Sequence, residues 1–562
     1  MQLALAAFAA LLGPGCAMSK PEETSDSSAQ RSERIVTAVP RPTARQLQWA
    51  EMEMAALVHF NMASTHNCSD PDHFAPDKLD VDQWVESFRA FGAREAVLVA
   101  KHACGFCTWP SNATLPDGTR YPYSTAYSTW RGGSGDVVSE FLAAVTKAGL
   151  GVGYYYSLHQ LGSHIMDKYN FSAAQVLAIE KQQLAELWGQ YGNAGNLSEV
   201  WFDGGIDGSA RPTIRAMLQK FQPNAMAFNS CGGTGFFPGN GGGPNNCVTP
   251  NAIRDTGTEA GAVGNPNWST QNFSDGREMF VPSESDTTLQ LTDSWFYDAA
   301  DGLRSLAELQ DVYHQTVGHN SLLMMDFSPT AEGLISPTHA AKYAEFGEWR
   351  RGCYDKGSKG MVGFVEHARG SQEACSTQLL MLDKPSLIDR VVVREDQTNG
   401  QTIRRWEVQA QLSSHDASSN LSAWTRIANG TSMGNKWIVL LQKNLTVSAI
   451  RTVVTDTALG TTARIRSTSA HLCSRATSNA SCSIRKDWAA DGVGNSTNRN
   501  GDAKTIAECC DACTKMKGCA LFVAKPNAID GHGCVLWSAT GVGGQVVKGA
   551  VTGSPRQALD YS

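Results

Sequence analysis

The chain has 562 residues, 42% of them hydrophobic and 18% charged, which describes a globular protein too long for a single core and suited to two to four domains. Its formal net charge of -7 arises without a long basic run, which argues against an extended nucleic-acid surface or any other polyanion partner.

The chain opens on "MQLALAAFAALLGPGCAMSK", an apolar run from Gln2 to Leu12 followed by small residues up to Ala17. This predicts a secretory signal over 1–17, too short to span a bilayer, and then a polar, disordered leader over 18–43. The segment before the run carries no basic residue. Cys16 admits a lipoprotein reading, but the Gly-Pro-Gly before it is a poor context for lipidation. No later segment is long and apolar enough to cross a membrane. Fourteen cysteines remain after Cys16, an even number, and eleven N-x-S/T sequons begin at Asn67, Asn112, Asn170, Asn196, Asn267, Asn272, Asn420, Asn429, Asn444, Asn479 and Asn495. Both features fit a glycosylated protein of an oxidising compartment, secreted or held in a lysosome- or vacuole-like space. In that setting "CGFC" at 104–107 and "CCDAC" at 509–513 are read as disulfide cysteines. No His/Cys set has convincing zinc spacing, so no metal and no cofactor are expected.

From 44 to 357, short β-rich runs alternate with helical stretches. The strand candidates are "AALVHFNM", "EAVLVAKH", "GVGYYYSL", "EVWFDGG", "AMAFNS" and "SLLMMDFS". Between them, "DVVSEFLAAVTKAGL" and "AAQVLAIEKQQLAELWGQYG" repeat apolar residues every three or four positions, as amphipathic helices do. The alternation predicts an α/β fold, and the length favours a (β/α)8 TIM-like barrel over an open sheet. No G-x-G-x-x-G follows the first strand, which removes the main argument for a nucleotide-binding fold. Such barrels assemble their sites at the C-terminal strand ends. Those ends carry His59, His102, Tyr156, Asp203 and Asp326. Each alone could be a satisfied core or rim residue, but five together point to a site.

From 358 to 470 the pattern changes to short alternating strands such as "LIDRVVVRED" and "KWIVLLQ", predicting a β-sandwich domain. The remainder, 471–562, holds seven cysteines and reads as a small disulfide-stapled module.

Within the barrel, "EVWFDGG" ends an apolar strand on a carboxylate with two glycines behind it. Asp-Gly alone would make a turn. On a barrel strand end, the glycines would also clear space for a ligand to reach Asp203. A glycosidase needs a second carboxylate across the scissile bond, and Glu259 in "TGTEAG" is the candidate, with a solvated loop glutamate as the alternative.

In this order, "QLQWAEMEMAALVHFNM", "FAPDKLDVDQWV", "AKHACGFCTWPS", "GDVVSEF", "GYYYS", "VWFDGG", "TGTEAG", "DSWFY" and "GLISPTHAAKYAEFGEW" resemble the α-L-fucosidases of glycoside hydrolase family 29. "GQTIRRWEVQAQ" and "GTSMGNKWIVLL" are similar to the β-sandwich that follows the barrel in that family. The likeness covers about 44–470 and is nearest to the branch acting on α-1,3- and α-1,4-linked fucose. It implies a retaining α-L-fucosidase working by double displacement on fucosylated glycans or oligosaccharides. Asp203 would be the nucleophile and Glu259 the acid/base, with His59, His102, Tyr156 and Trp295 binding the sugar. Two departures stand out. Ala103 and Cys104 replace the histidine and aspartate usual after "KH", and "HNCSDPDHF" replaces a Glu-Trp pair. A Cys68–Cys104 disulfide would remodel both places, while Cys104–Cys107 is equally open. These losses give the rival reading its basis: a catalytically weakened fucose- or glycan-binding adhesion protein. The tail resembles a PAN/apple-like module, a class that binds proteins or glycans.

Overall fold

The computed structural model describes residues 39–65, 67–230, 246–250, 269–272, 278–292, 294–355, 360–366, 376–413, 424–458 and 461–473, and further on the strands 482–490, 496–499, 521–524, 534–537 and 544–555. Eight parallel strands close a barrel: β1 (Met54–Val58), β2 (Glu95–Lys101), β3 (Gly151–Tyr156), β4 (Glu199–Trp201), β5 (Met226–Phe228), β6 (Cys247–Pro250), β7 (Ser283–Thr287) and β8 (Ser321–Phe327). They neighbour one another in chain order, and β8 pairs back onto β1 with Leu57 opposite Asp326. This is the TIM-like architecture that the alternating pattern predicts.

The helices are α1 (Ala44–Ala50), α2 (Val81–Phe91), α3 (Val137–Lys147), α4 (Ser163–Tyr169), α5 (Ala173–Ala185), α6 (Arg211–Phe221), α7 (Leu306–Gln315) and α8 (Pro337–Tyr354). Their starts follow capping chemistry. Asp80, Asp136 and Ser336 accept from the backbone N–H three residues on, and Thr43 with Gln46, Ser172 with Gln175 and Ser305 with Glu308 form reciprocal boxes.

Because side chains alternate across a strand, each barrel strand feeds two cores. Leu57, Val97, Val99, Tyr155, Trp201, Phe228 and Met324 pack inside the lumen. Val58, Leu98, Tyr154, Tyr156, Val200, Ala227 and Leu323 pack outward in the layer shared with the helices. Trp49 of α1 joins the lumen cluster from below, and its Nε1 donates to Glu199 Oε2 at the start of β4 (3.2 Å).

The second domain is a six-stranded antiparallel sheet: β9 (Gly360–Glu366), β10 (Ser376–Glu395), β11 (Ile403–Leu412), β12 (Trp424–Gly430), β13 (Trp437–Thr457) and β14 (Ile465–His471). Its order is β9-β10-β13-β11-β12, with β14 also on β10. Ile388, Val391, Trp406, Val408, Ile450 and Val454 give it a core of its own. Beyond it, Cys482–Ala490, Gly544–Pro555, Leu521–Ala524, Cys534–Trp537 and Ser496–Arg499 form, in that order, a five-stranded antiparallel sheet. The tail motif "CCDAC" lies outside the described residues.

The sheet domain grips the barrel at the N-terminal end of β8. Asn320 N donates to Lys436 O (3.0 Å), Ile438 N to Gly318 O (2.9 Å), and Asn435 N to Asn320 Oδ1 (2.6 Å). Lys436 Nζ reaches Glu53 Oε2 at 2.8 Å, and Arg394 bonds the other oxygen of Glu53. Burial pushes the Glu53 carboxyl upward, but Lys436 and Arg394 outweigh it and hold the group at about 2. A Cys353–Cys473 disulfide ties the end of α8 to the end of the sheet domain. Removing one partner of a buried pair leaves a charge without compensation. Lys436→Met is therefore expected to destabilise the protein by about 3 kcal/mol in chemical denaturation, whereas Arg426→Met, at the exposed Arg426–Glu407 pair, changes it little.

Candidate active site

Asp203 stands two residues beyond β4, on the C-terminal face, with its side chain exposed. Gly204 and Gly205 follow at φ +69° and +77°, left-handed conformations that favour glycine, and a Cβ on Gly204 would meet none of the described residues within 4 Å. The turn is real, and it leaves the space beside the carboxylate open. Tyr155, directed inward from β3, donates its hydroxyl to Asp203 Oδ2 at 2.8 Å. Burial and the neighbouring Asp203 raise this phenol well above its ordinary range, so it remains a donor. Tyr155 in turn stacks on Trp201 (5.2 Å, 17°), Trp201 stacks on Phe228 (3.9 Å, 3°), and Trp201 Nε1 donates to Glu284 Oε1 (2.7 Å). The nucleophile candidate is thus held through one hydrogen bond to a rigid aromatic column.

Beside it, His59 follows β1 and His102 follows β2. His59 is buried, and its Nδ1 shares a 2.7 Å hydrogen bond with Asp326 Oδ1. Burial lowers the imidazole to about 3, with Asp203 pulling the other way, and raises the Asp326 carboxyl well above its usual range. His102 lies nearly parallel to Tyr155 (5.8 Å, 19°) and is held at about 4 by burial and by His59, against Asp203. Both histidines are therefore neutral at pH 5 and above, able to donate from one ring nitrogen and accept at the other. Trp295 lies 5.1 Å from His59, while Phe296 meets His59 at 5.3 Å and His102 at 5.0 Å edge-on. One exposed carboxylate, two neutral imidazoles and an aromatic wall suit a small polyol ring with one apolar face.

Of the residues singled out from sequence, Asp203, His59, His102, Asp326 and Trp295 come together. Tyr156 does not join them. It faces outward, its hydroxyl donating to Gln183 Oε1 (2.5 Å) and its ring lying 4.0 Å beneath Lys101 Nζ. In "GYYYS" a shift of one residue exchanges lumen for helix layer, and Tyr155 is the tyrosine of the site. Glu259 lies outside the described residues. Cys104 pairs with Cys68 rather than with Cys107, and Cys107 is a free, buried thiol. Among the described residues, no group of three or more His, Cys, Asp or Glu side chains could hold a metal ion.

Sequence reading missed Phe296, the neighbour of Trp295 in "DSWFY", and Asp286. The latter sits on β7 in register with Met324 of the lumen core, is 8% exposed, and has no hydrogen-bond partner at Oδ1. Burial, with Asp203 and Asp326 adding to it, raises its carboxyl from 3.8 to about 6. The signal was the alternation of acids in "SESDT", a polar strand. A raised folded-state value means that stability is fully present below about 3.8 and is lost as pH rises through about 6. Asp286→Asn, always neutral, is expected to gain on the order of 2 kcal/mol over the parent at pH 7.5 and nothing at pH 3.5. Melting curves of the two proteins at both pH values measure this difference.

The sequence profile of the α-L-fucosidase family matches residues 29–352, more than half of the chain. Alpha-L-fucosidase 1 of Arabidopsis thaliana is 26% identical over 467 residues, spanning 74% of this chain and 84% of its own. In fold, the chain is similar to a glycoside hydrolase 29 family member from an unknown rumen bacterium, with a TM-score of 0.65 and 21% identity over 92% of this chain and 97% of that one. It is likewise similar to the Ruminococcus gnavus GH29 fucosidase in complex with fucose, with a TM-score of 0.62 and 20% identity over 80% and 97%. With more than half of its length matched, the chain belongs to the α-L-fucosidases of glycoside hydrolase family 29.

Proposed function

We propose that the protein is a secreted, retaining α-L-fucosidase that releases α-1,3- or α-1,4-linked fucose from glycans by double displacement. The observation that carries this reading is the exposed Asp203 carboxylate, held by Tyr155 within a ring of neutral imidazoles and aromatics. Asp203 attacks the anomeric carbon while Glu259 protonates the leaving oxygen, and Glu259 then activates the water that releases the sugar. The Tyr155 hydrogen bond occupies one oxygen of Asp203 and leaves Oδ1 as the attacking atom. His59 and His102 meet sugar hydroxyls as neutral groups, at no charge-burial penalty. Export is part of the same proposal and is supported by the apolar start of the chain and by the exposure of the sequon asparagines Asn112, Asn170, Asn196, Asn429 and Asn444. The C-terminal module is assigned a protein or glycan ligand on its PAN/apple-like resemblance.

Kinetics on synthetic fucosides test the assignment. Asp203→Ala is expected to abolish turnover of every fucoside, because no other group forms the covalent intermediate. Glu259→Gln is expected to lose about 10² to 10⁴-fold on substrates with poor leaving groups and far less on activated aryl fucosides, whose departure needs little protonation. Inverted product, or equal loss on both substrate types, overturns these roles. Removing a hydrogen bond to a charged group is worth about 1.5–3 kcal/mol, so Tyr155→Phe should lower kcat/KM by roughly ten- to a hundredfold with the fold intact by circular dichroism. Binding of fucose without turnover by the unmodified protein would favour the adhesion reading instead.

A further inference from the structure

We propose that the Cys68–Cys104 disulfide is a positioning element of the site: it clamps the loops after β1 and β2 together, so that the turn behind His102 keeps the imidazole against Tyr155 and Phe296, and opening it weakens substrate binding without unfolding the barrel. The proposal rests on the fucosidase reading for its substrate but on geometry for its mechanism.

The ring of His102 makes no hydrogen bond to another side chain among the described residues. Its place is fixed by ring contacts and by its own backbone. That backbone turns at once, with Gly105 N donating to His102 O at 2.8 Å, and Cys104 sits inside the turn. The disulfide joins Cys104 to a loop 36 residues earlier, across a Cα separation of 5.6 Å. On the Cys68 side, the Tyr123 hydroxyl donates to the Cys68 carbonyl. On the Cys104 side, the Tyr121 hydroxyl donates to Gly105 O (2.9 Å) and lies 3.3 Å from Leu161 O, which brings in the loop after β3. The approach there is close enough to require glycine. A Cβ on Gly105 would lie 2.2 Å from the Leu161 carbonyl, and one on Gly162 would lie 2.1 Å from the Cys104 oxygen. Three loops thus meet at one covalent bond next to a sugar-binding candidate.

Among the described residues, no neighbouring thiol can take over the bond. Cys107 is fully buried, and burial pushes its thiol far above the usual range, so it supplies no thiolate for exchange. Reduction by a dithiol puts two electrons and two protons into the S–S bond, yielding two cysteine thiols while the dithiol closes to a cyclic disulfide. The Cys353–Cys473 bond, at the far end of α8 and remote from these loops, is the natural control.

The test compares the full-length protein with two double variants, Cys68→Ser/Cys104→Ser and Cys353→Ser/Cys473→Ser. Two quantities are read: KM and kcat on an aryl α-L-fucoside, and titration of the His102 ring by NMR, assigned through His102→Gln. In the first double variant KM should rise about tenfold, the size of one lost hydrogen bond to the sugar, with kcat within about threefold of the parent. The His102 ring, faced by His59 and Asp203, should titrate above about 4 and closer to 6.5 as its packing loosens. The second double variant should melt at a lower temperature with KM and the His102 titration unchanged, and dithiol treatment of that variant should reproduce the KM rise. Because Cys247 of β6 is also disulfide-bonded and a dithiol would open that bond too, the single variant Cys68→Ser, read for the same two quantities, decides the matter if the first double variant fails to fold. Unchanged KM together with an unchanged His102 titration, after the Cys68–Cys104 bond is removed, overturns the proposal. Should the parent protein fail to cleave the fucoside, the functional reading falls, and the His102 titration alone still decides the role of the disulfide.

Discussion

A closed barrel of eight parallel strands leaves no room for bulk water in its lumen, and every polar group directed inward must either find a partner or give up its charge. That constraint orders the molecule from bottom to top. At the floor, Glu95, Glu199 and Glu284 are completely buried. Burial raises Glu95 to about 7, against a hydrogen bond from Ser198 and the charge of Arg45, and raises Glu199 and Glu284 well above their usual range. Donors come from Trp49, Ser198 and Trp201, so the floor is a layer of acids whose ionisation burial opposes, met by indole and hydroxyl groups. Above it lies the column of Phe228, Trp201 and Tyr155. Above the column, where the strands end, the Asp203 carboxylate meets solvent.

The sheet domain fits the same scheme from outside. Its contacts gather on Glu53, which precedes β1, and on Asn320, which precedes β8, the two strands whose pairing closes the barrel. Arg390 adds a second anchor, donating to Tyr354 (3.0 Å) at the end of α8 while paired with Asp389. The domain therefore buttresses the closing seam at the N-terminal end and leaves the opposite face to the loops. Stability and chemistry occupy opposite ends of one barrel, and the helix α8 links them: Tyr343 donates its hydroxyl to the carbonyl of Asp326, whose carboxyl holds His59.

What the sequence revealed of this arrangement follows from how each strand earns its burial. β1, β2, β3, β4, β5 and β8 are apolar on both faces, so they read as strands, and the polar residues at their ends, His59, His102, Asp203 and Asp326, read as a site. β7, "SESDT", carries acids toward the lumen and serines outward, and "CVTP" of β6 is too short to show any period, so neither registers as a strand. Asp286 stayed hidden for that reason. The exchange of Tyr156 for Tyr155 has a different origin: three consecutive tyrosines carry no mark of parity, and only the pairing of Tyr155 with Trp201 on β4 fixes which one enters the lumen. The pairing of Cys104 was equally unreadable, because 104–107 spacing and long-range approach both permit a bond, and only the meeting of the two loops decides between them.

The two kinds of support in the site carry different consequences. Tyr155 is mounted within β3, whose backbone is fixed by the closed sheet, and its hydroxyl holds Asp203, which stands two residues beyond β4. His102 is mounted one step outside the sheet, where position depends on how loops are joined, and the join is a covalent bond between sulfurs. On the proposed reading, Asp203 is positioned through Tyr155 of the sheet and the His102 side of the rim through the Cys68–Cys104 bond. Disulfides persist in oxidising compartments and are reduced in the cytosol. If the proposed role of the Cys68–Cys104 bond holds, the rim is complete only in an oxidising environment, which is the same condition that the proposed export would supply.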